Sequence, residues 1–228
     1  MPTSTVEDYL KCILAAQQRQ PDALVTMGQI GSSLGVAPGT VTAMVKTLAE
    51  SGLVAYEPYS GVRLTEAGER LATHVLRRHR LIELFLVERM GYDWSEVHDE
   101  AERLEHAVSD LLIERIDEML GHPSADPHGD PIPDREGQIP ESSSATLLAC
   151  PLKEPQRVVR VGDQSSDFLR LLERRGLVPG SRVVVDARSE AADSVELETA
   201  AGDHVSLGFR AASKIFVEPA REGRRAAR

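Results

Sequence analysis

Apolar residues recur every three to four positions through "TVEDYLKCILAAQQR" (5–19), where Tyr9, Ile13 and Ala16 share one side of a predicted helix. A shorter amphipathic run follows, in which Thr26 is a good N-cap, Ile30 and Leu34 supply the apolar side, and Gly35 ends the helix. Pro38 then opens another helix, because the N–H it lacks would be unpaired in a first turn anyway. Val41, Val45 and Leu48 give that helix a buried face, and Gly52 stops it. The period changes to two in "LVAYEPYSGVRLTEAG", read as a strand, a turn from Pro58 to Gly61, a second strand and a helix capped by Thr65. Two short helices joined by a tight turn, followed by a hairpin, have the order of a winged helix-turn-helix, an arrangement that binds DNA.

Helical periodicity resumes after Thr65 and runs to Gly91 through Leu71, Val75, Leu76, Leu81, Phe85 and Leu86. A second long helix is expected from Trp94 to about Leu120, with Leu104, Val108, Leu111 and Leu112 on its apolar side. Residues 121–147 are rich in Pro, Ser and Gly, lack periodicity and read as a linker. Beyond them "RVVRV", "SRVVVDAR" and "KIFVEP" are predicted strands, and "VELETAAGDHVSLGF" is a hairpin around Gly202 and Asp203. "SSDFLRLLERRG" is a short helix and "VPGS" a Pro-Gly turn. The fold class is mainly α with a β module, the latter a small open barrel.

Composition sharpens this picture in two places. The 228 residues carry a net charge of −10, which argues against indiscriminate binding to nucleic acid. The acid is concentrated in residues 76–120, where six basic side chains face twelve acidic ones, a net of −6. Cys12 and Cys150 do not make a disulfide framework, and Cys12 reads as buried packing. No apolar run reaches the roughly 18–20 residues that span a bilayer, and no signal-peptide core is present, so a cytoplasmic protein with no membrane partner is expected.

The acidic region contains "VHDEAERLEHAVS" (97–109), which places His98, Glu102, Glu105 and His106 along one side of the expected helix. A merely solvated face would carry lysine or arginine at the neighbouring spacings, and this stripe has none. Imidazole and carboxylate together are ligands for a divalent metal. "RRHRLIELF" adds His79 and Glu83 at i,i+4, and Asp8 lies on the first helix, so three helices contribute. Without ions such a stripe is expected to be held apart by its own charge. His74, His122, His128 and His204 show no partner pattern and read as surface or loop residues. A metalloenzyme is the rival class, but neither His-Glu-x-x-His nor paired Glu-x-x-His occurs, and no Gly-rich phosphate loop or nucleophile elbow is present.

"GTVTAMVKTLAESGLV", "RRHRLIELFL", "VHDEAERLEHAVSD" and the linker "DPHGDPIP" together resemble the diphtheria-toxin-repressor family of metal-dependent transcriptional regulators. The resemblance covers nearly the whole chain, and "HRLIE" with "HDEAERLEH" is its most specific part. It implies a winged helix-turn-helix over 1–74, a helical dimerisation and metal-binding domain over 75–140 (with 121–147 partly linker) and an SH3-like, FeoA-type barrel over 148–228. It further implies two metal sites per subunit. The primary site would use Asp8, Glu102, Glu105 and His106; the ancillary site would use His79, Glu83 and His98, completed by Gln164 and Asp167. Gln164 and Asp167 differ from the Glu and Gln usual in the iron-responsive branch. Asp126 and Asp130 stand where iron-branch relatives keep residues for an anion, and two acids would not welcome one.

At the primary site, iron-responsive members resemble this chain but carry Met and Cys where it has Asp8 and Glu102, whereas manganese-responsive members carry Asp and Glu. Oxygen donors suit Mn²⁺ and sulfur donors suit softer ions, so Mn²⁺ is expected, with Fe²⁺ the alternative. Lys11 stands where manganese-branch proteins without the barrel place a glutamate ligand, so their closely coupled two-ion cluster is not expected. The implied function is repression by a homodimer on palindromic double-stranded operator DNA, with one or two dimers per operator, and not catalysis. Pro38, Thr40, Thr42 and Lys46 would meet DNA from the second helix of the motif, and Arg63 from the wing.

Overall fold

The computed structural model describes residues 3–140 and 143–220. Helix α1 (Ser4–Arg19) starts where the Thr3 hydroxyl accepts the Val6 N–H. Helix α2 (Met27–Leu34) has a reciprocal capping box between Thr26 and Gln29 and ends at Gly35, whose φ of 65° is left-handed. Pro38 opens α3 (Pro38–Glu50), as its missing N–H predicted. Strands β1 (Val54–Glu57) and β2 (Gly61–Leu64) pair antiparallel, and Val25 forms an antiparallel bridge to Val62 on β2. Tyr9, Leu10, Ile13, Ile30, Val41, Val45, Leu48 and Val62 form one buried core beneath these elements. Helix α4 (Glu66–Met90) then runs for 25 residues. Its Gly68 is tightly placed: an added Cβ would lie 1.9 Å from the Leu53 carbonyl oxygen.

The expected single helix from Trp94 to Leu120 is two helices, α5 (Val97–Leu104) and α6 (Asp110–Met119). The chain leaves helical geometry after Leu104, whose carbonyl accepts both Ala107 N–H at 2.9 Å and Val108 N–H at 3.1 Å. Ser109 then starts α6, its hydroxyl accepting Leu112 N–H and its carbonyl accepting Ile113 N–H. His98 and Glu102 therefore lie on α5, but Glu105 and His106 lie in the turn after it. The stripe is real in sequence, but the continuous helix is not.

The C-terminal module has strands β3 (Ala145–Thr146), β4 (Pro155–Val161), β5 (Arg182–Ser189), β6 (Ser194–Thr199), β7 (His204–Gly208) and β8 (Ile215–Pro219). They form one antiparallel sheet in the order β3-β8-β4-β5-β6-β7, with irregular register at Val158/Arg160 and Val185/Ala187. Helices α7 (Ser166–Arg174) and α8 (Phe209–Ala212) join it, the latter unannounced by the sequence pattern. Leu147, Val158, Val161, Leu169, Leu172, Val185, Leu197 and Ile215 are among its buried core.

The chain divides into two compact units. One takes in the chain to Ile82 with Glu102–Arg115 and Ile132–Ile139; the other takes in Glu83–Ala101, Ile116–Pro131 and the chain from Pro140.

Candidate metal centre

Within the first unit, α1, the end of α5 and the turn after it bring Asp8, Glu102, Glu105 and His106 together, with one ligand atom from each inside 4.8 Å of the others. His106 Nε2 lies 2.9 Å from Asp8 Oδ1 and 3.4 Å from Glu105 Oε1. Its other ring nitrogen, Nδ1, is 2.6 Å from Glu7 Oε2, a buried carboxylate that fixes the ring orientation. Glu105 is completely buried: Oε2 is 2.6 Å from His79 Nδ1, and Oε1 accepts from Lys11 Nζ at 2.5 Å. Lys11 also donates to Glu102 Oε1 at 2.7 Å. The four acidic and imidazole groups predicted as one site thus meet in space. They are not held apart by their charge, as expected from the sequence; a lysine ammonium bridges two of the acids.

Burial, His79 and the Lys11 bridge together shift the carboxyl groups of the cluster. Burial would raise the Glu105 carboxyl, but hydrogen bonding from His79 and the charge of Lys11 hold it below the usual carboxylate range. Burial would likewise lower Lys11, yet Glu105 and Glu102 hold it above its ordinary value, so it remains an ammonium. Asp8 is raised by burial, against the opposing charges of His106 and Lys11.

A second cluster belongs to the other unit. Glu83 on α4 is fully buried, with Oε1 3.1 Å from His98 Nδ1 on α5. His128, expected on the surface or in a loop, lies in a loop but is completely buried. Its Nε2 contacts the Trp94 carbonyl at 2.8 Å. Among the described residues its Nδ1 has no hydrogen-bond partner, and it points to Glu83 Oε2 at 3.8 Å and Asp126 Oδ1 at 3.9 Å. Asp126 is pinned in turn by the N–H groups of His128 and Asp130 at 2.8 and 2.9 Å. A buried imidazole nitrogen converging with two carboxylates suits a divalent cation. Gln164 is placed beside this region, its amide donating to Asp130 Oδ2 at 2.9 Å, whereas Asp167 is exposed in the first turn of α7. Asp130 also accepts from Arg160 at 3.2 Å, so its charge is already balanced. His79 sits one turn before Glu83 on α4, with Nδ1 engaged by Glu105.

On α3, Gly39, Thr40, Ala43, Lys46 and Thr47 are exposed beside Pro38, opposite the buried Val41, Val45 and Leu48. Thr42 is partly buried, and its hydroxyl donates to the Pro38 carbonyl at 2.9 Å. In the wing, the Arg63 guanidinium donates to the Pro21 carbonyl at 2.8 Å.

Three family models tile the chain. They are the iron-dependent repressor N-terminal DNA-binding domain over residues 1–62, the iron-dependent repressor metal-binding and dimerisation domain over 65–134, and the FeoA domain over 145–219. The iron-dependent repressor IdeR of Mycobacterium tuberculosis is 31% identical over 94% of this chain and 96% of its own. This chain belongs to the diphtheria-toxin-repressor family. Among solved structures, a manganese-dependent transcriptional repressor in complex with manganese is 42% identical, covers 94% of this chain and 99% of its own, and has a TM-score of 0.85. The apo form of the manganese-activated repressor ScaR is 36% identical over 93% and 99% of the two chains, with a TM-score of 0.78. The protein is accordingly a metal-dependent transcriptional repressor with DNA-binding and dimerisation domains and an SH3-like FeoA module, not an enzyme. Among the described residues no helix is long and apolar enough to cross a membrane.

Three groups beside the two clusters, Glu7, Asp126 and His128, give no periodic signal in the sequence. Glu7 meets His106 across 99 residues, so no local spacing announces it. Asp126 and His128 lie in the segment read as linker, and their i,i+2 spacing on irregular backbone has no helical signature. The signal was composition: a histidine flanked by aspartates two residues to either side, Asp126 and Asp130.

Proposed function

We propose that this repressor is activated by Mn²⁺ and, as a homodimer, closes on a palindromic operator to control manganese homeostasis in the cytoplasm. The observation that carries the reading is the donor set itself: Asp8, Glu102, Glu105 and His106 converge within 4.8 Å and offer only oxygen and nitrogen. Such hard donors suit Mn²⁺, an ion at the weak end of the affinity series that must be selected by ligand type and geometry. A bound divalent ion supplies the positive charge that these ligands share. Asp8 carries that linkage to α1 of the DNA-binding domain, while Glu102, Glu105 and His106 anchor it to the α5 segment. A second ion would draw on Glu83 and His98 with the buried Asp126 and His128, and the family resemblance adds His79, Gln164 and Asp167.

The exposed Thr40 and Lys46 of α3, with the half-buried Thr42 between them, enter the major groove, and Pro38 sets the first turn of α3 against the backbone. Arg63, with one guanidinium N–H on the Pro21 carbonyl, keeps further N–H donors for DNA. Exposed Leu111 and Leu112 at the start of α6 supply apolar surface for the second copy. We divide the chain at 1–74, 75–140 and 148–228. Metal and DNA are then linked: an ion that favours the DNA-binding geometry is itself bound more tightly on DNA. Fe²⁺ is the second reading, favoured by the full-length likeness to an iron-dependent repressor. Operator binding by Thr40→Ala/Thr42→Ala in saturating Mn²⁺ tests the DNA face; affinity should fall about tenfold, as expected for lost groove contacts of about 1–3 kcal/mol, and unchanged affinity would refute the assignment.

A further inference from the structure

We propose that Lys11 is a built-in competitor of the primary ion, bridging Glu102 and Glu105 when no divalent ion is bound and withdrawing when one enters, so that it sets the concentration to which the repressor responds. The proposal rests on the metal reading of the Asp8–Glu102–Glu105–His106 cluster. Lys11 Nζ lies 2.7 Å from Glu102 Oε1 and 2.5 Å from Glu105 Oε1, against two of the carboxylates that would have to turn to an ion. Ammonium and divalent ion cannot share these oxygens without coming within about 4 Å of each other, where like charges repel strongly in a partly buried site. One must leave.

Lys11 is built to be the one that leaves. It follows Asp8 by three residues on α1, so both side chains approach the acids from the same face of one helix. Its four-carbon stem can swing the ammonium outward by rotamer changes without moving that helix. Glu105, by contrast, has no exposed surface, and with Lys11 withdrawn and no ion its buried charge would rest on the His79 contact at 2.6 Å. Lys11 therefore does two things of opposite sign. It stabilises the protein without the ion, and it makes the ion harder to bind, because every binding event must first break the Lys11 bridge. A purely structural lysine would do only the first.

The two effects separate in one pair of measurements on the full-length protein. Mn²⁺ uptake is followed by the paramagnetic resonance signal of free aqueous Mn²⁺, and unfolding is followed by circular dichroism in a chelator. For Lys11→Met the proposal expects a lower melting temperature in chelator and an Mn²⁺ midpoint at least about tenfold lower than wild type, equivalent to about 1.4 kcal/mol. Lys11→Gln should shift in the same sense by less, and it serves if Lys11→Met does not fold without the ion. A melting temperature that falls while the midpoint stays put or rises makes Lys11 a structural bridge and overturns the proposal. If wild type and variants alike take up no Mn²⁺, the metal reading itself fails and the competitor role falls with it.

Discussion

Replacing Glu105 by glutamine changes one oxygen to nitrogen in a side chain with no exposed surface, at the centre of the best-defined cluster in the protein. The carboxylate is met by Lys11 Nζ at 2.5 Å and His79 Nδ1 at 2.6 Å, both charge-assisted contacts. Contacts of that kind contribute about 1.5–3 kcal/mol each. Glutamine keeps one acceptor oxygen but turns its NH₂ toward the other donor, so about one contact is lost outright. Lys11 retains Glu102 as a partner, which moderates the cost relative to the roughly 3–5 kcal/mol of a wholly broken buried pair. Glu105→Gln should therefore lose about 2–3 kcal/mol in chelator at neutral pH, read from urea unfolding. The second half of the experiment adds Mn²⁺. An ion at a hundred times its dissociation constant stabilises the folded protein by about 2.7 kcal/mol, and the variant, missing a ligand, should gain far less. A loss below about 1 kcal/mol, or an Mn²⁺ stabilisation equal to that of wild type, would refute the reasoning.

His128→Ala should reduce bound Mn²⁺ from two ions to one per chain, because it removes the buried nitrogen that faces Glu83 and Asp126; two ions still bound, by equilibrium dialysis, would show that His128 is not a ligand. The Lys214 hydrogen bond holds Asp163 well below its ordinary value, at about 2, so this pair contributes stability that is present above about pH 4 and lost as the pH falls toward 2. Lys214→Met should flatten the acid unfolding curve in that window and cost no more than about 2 kcal/mol at neutral pH, since both groups are partly exposed; an unchanged curve would assign the acid sensitivity elsewhere.

Much of the architecture is legible because it depends on local rules. Thr26 with Gln29, Gly35, Pro38 and Gly52 punctuate the helix-turn-helix by capping chemistry that acts over three or four residues. The β module follows its period-two pattern, with the bulges at Val158/Arg160 and Val185/Ala187 as the non-local exceptions. What spacing misses is where backbone periodicity stops carrying the chemistry. Glu105 and His106 keep helical spacing from His98 while sitting beyond the end of α5, because Ser109 offers the backbone a new helix start and the buried contacts of Glu105 hold the turn. His128 is buried by an irregular segment, and burial on irregular backbone leaves no periodic trace. In the sequence Lys11 stands out only by replacing a glutamate of manganese-branch relatives. Its role as a bridge is a long-range contact, separated from Glu102 by 91 residues and from Glu105 by 94.

The claim that Asp8 and Glu102 make this a manganese-responsive repressor is tested most directly by anaerobic operator binding, titrated separately with free Mn²⁺ and free Fe²⁺. Occupancy alone does not decide it, because later transition ions bind tightly at almost any such site; activation is the quantity to follow. The account predicts that Mn²⁺ drives operator binding by the unmodified protein at the lower free concentration, and that Asp8→Met/Glu102→Cys reverses the order by exchanging two hard oxygens for soft sulfurs. Activation of the unmodified protein by Fe²⁺ at a lower free concentration than Mn²⁺ would contradict it.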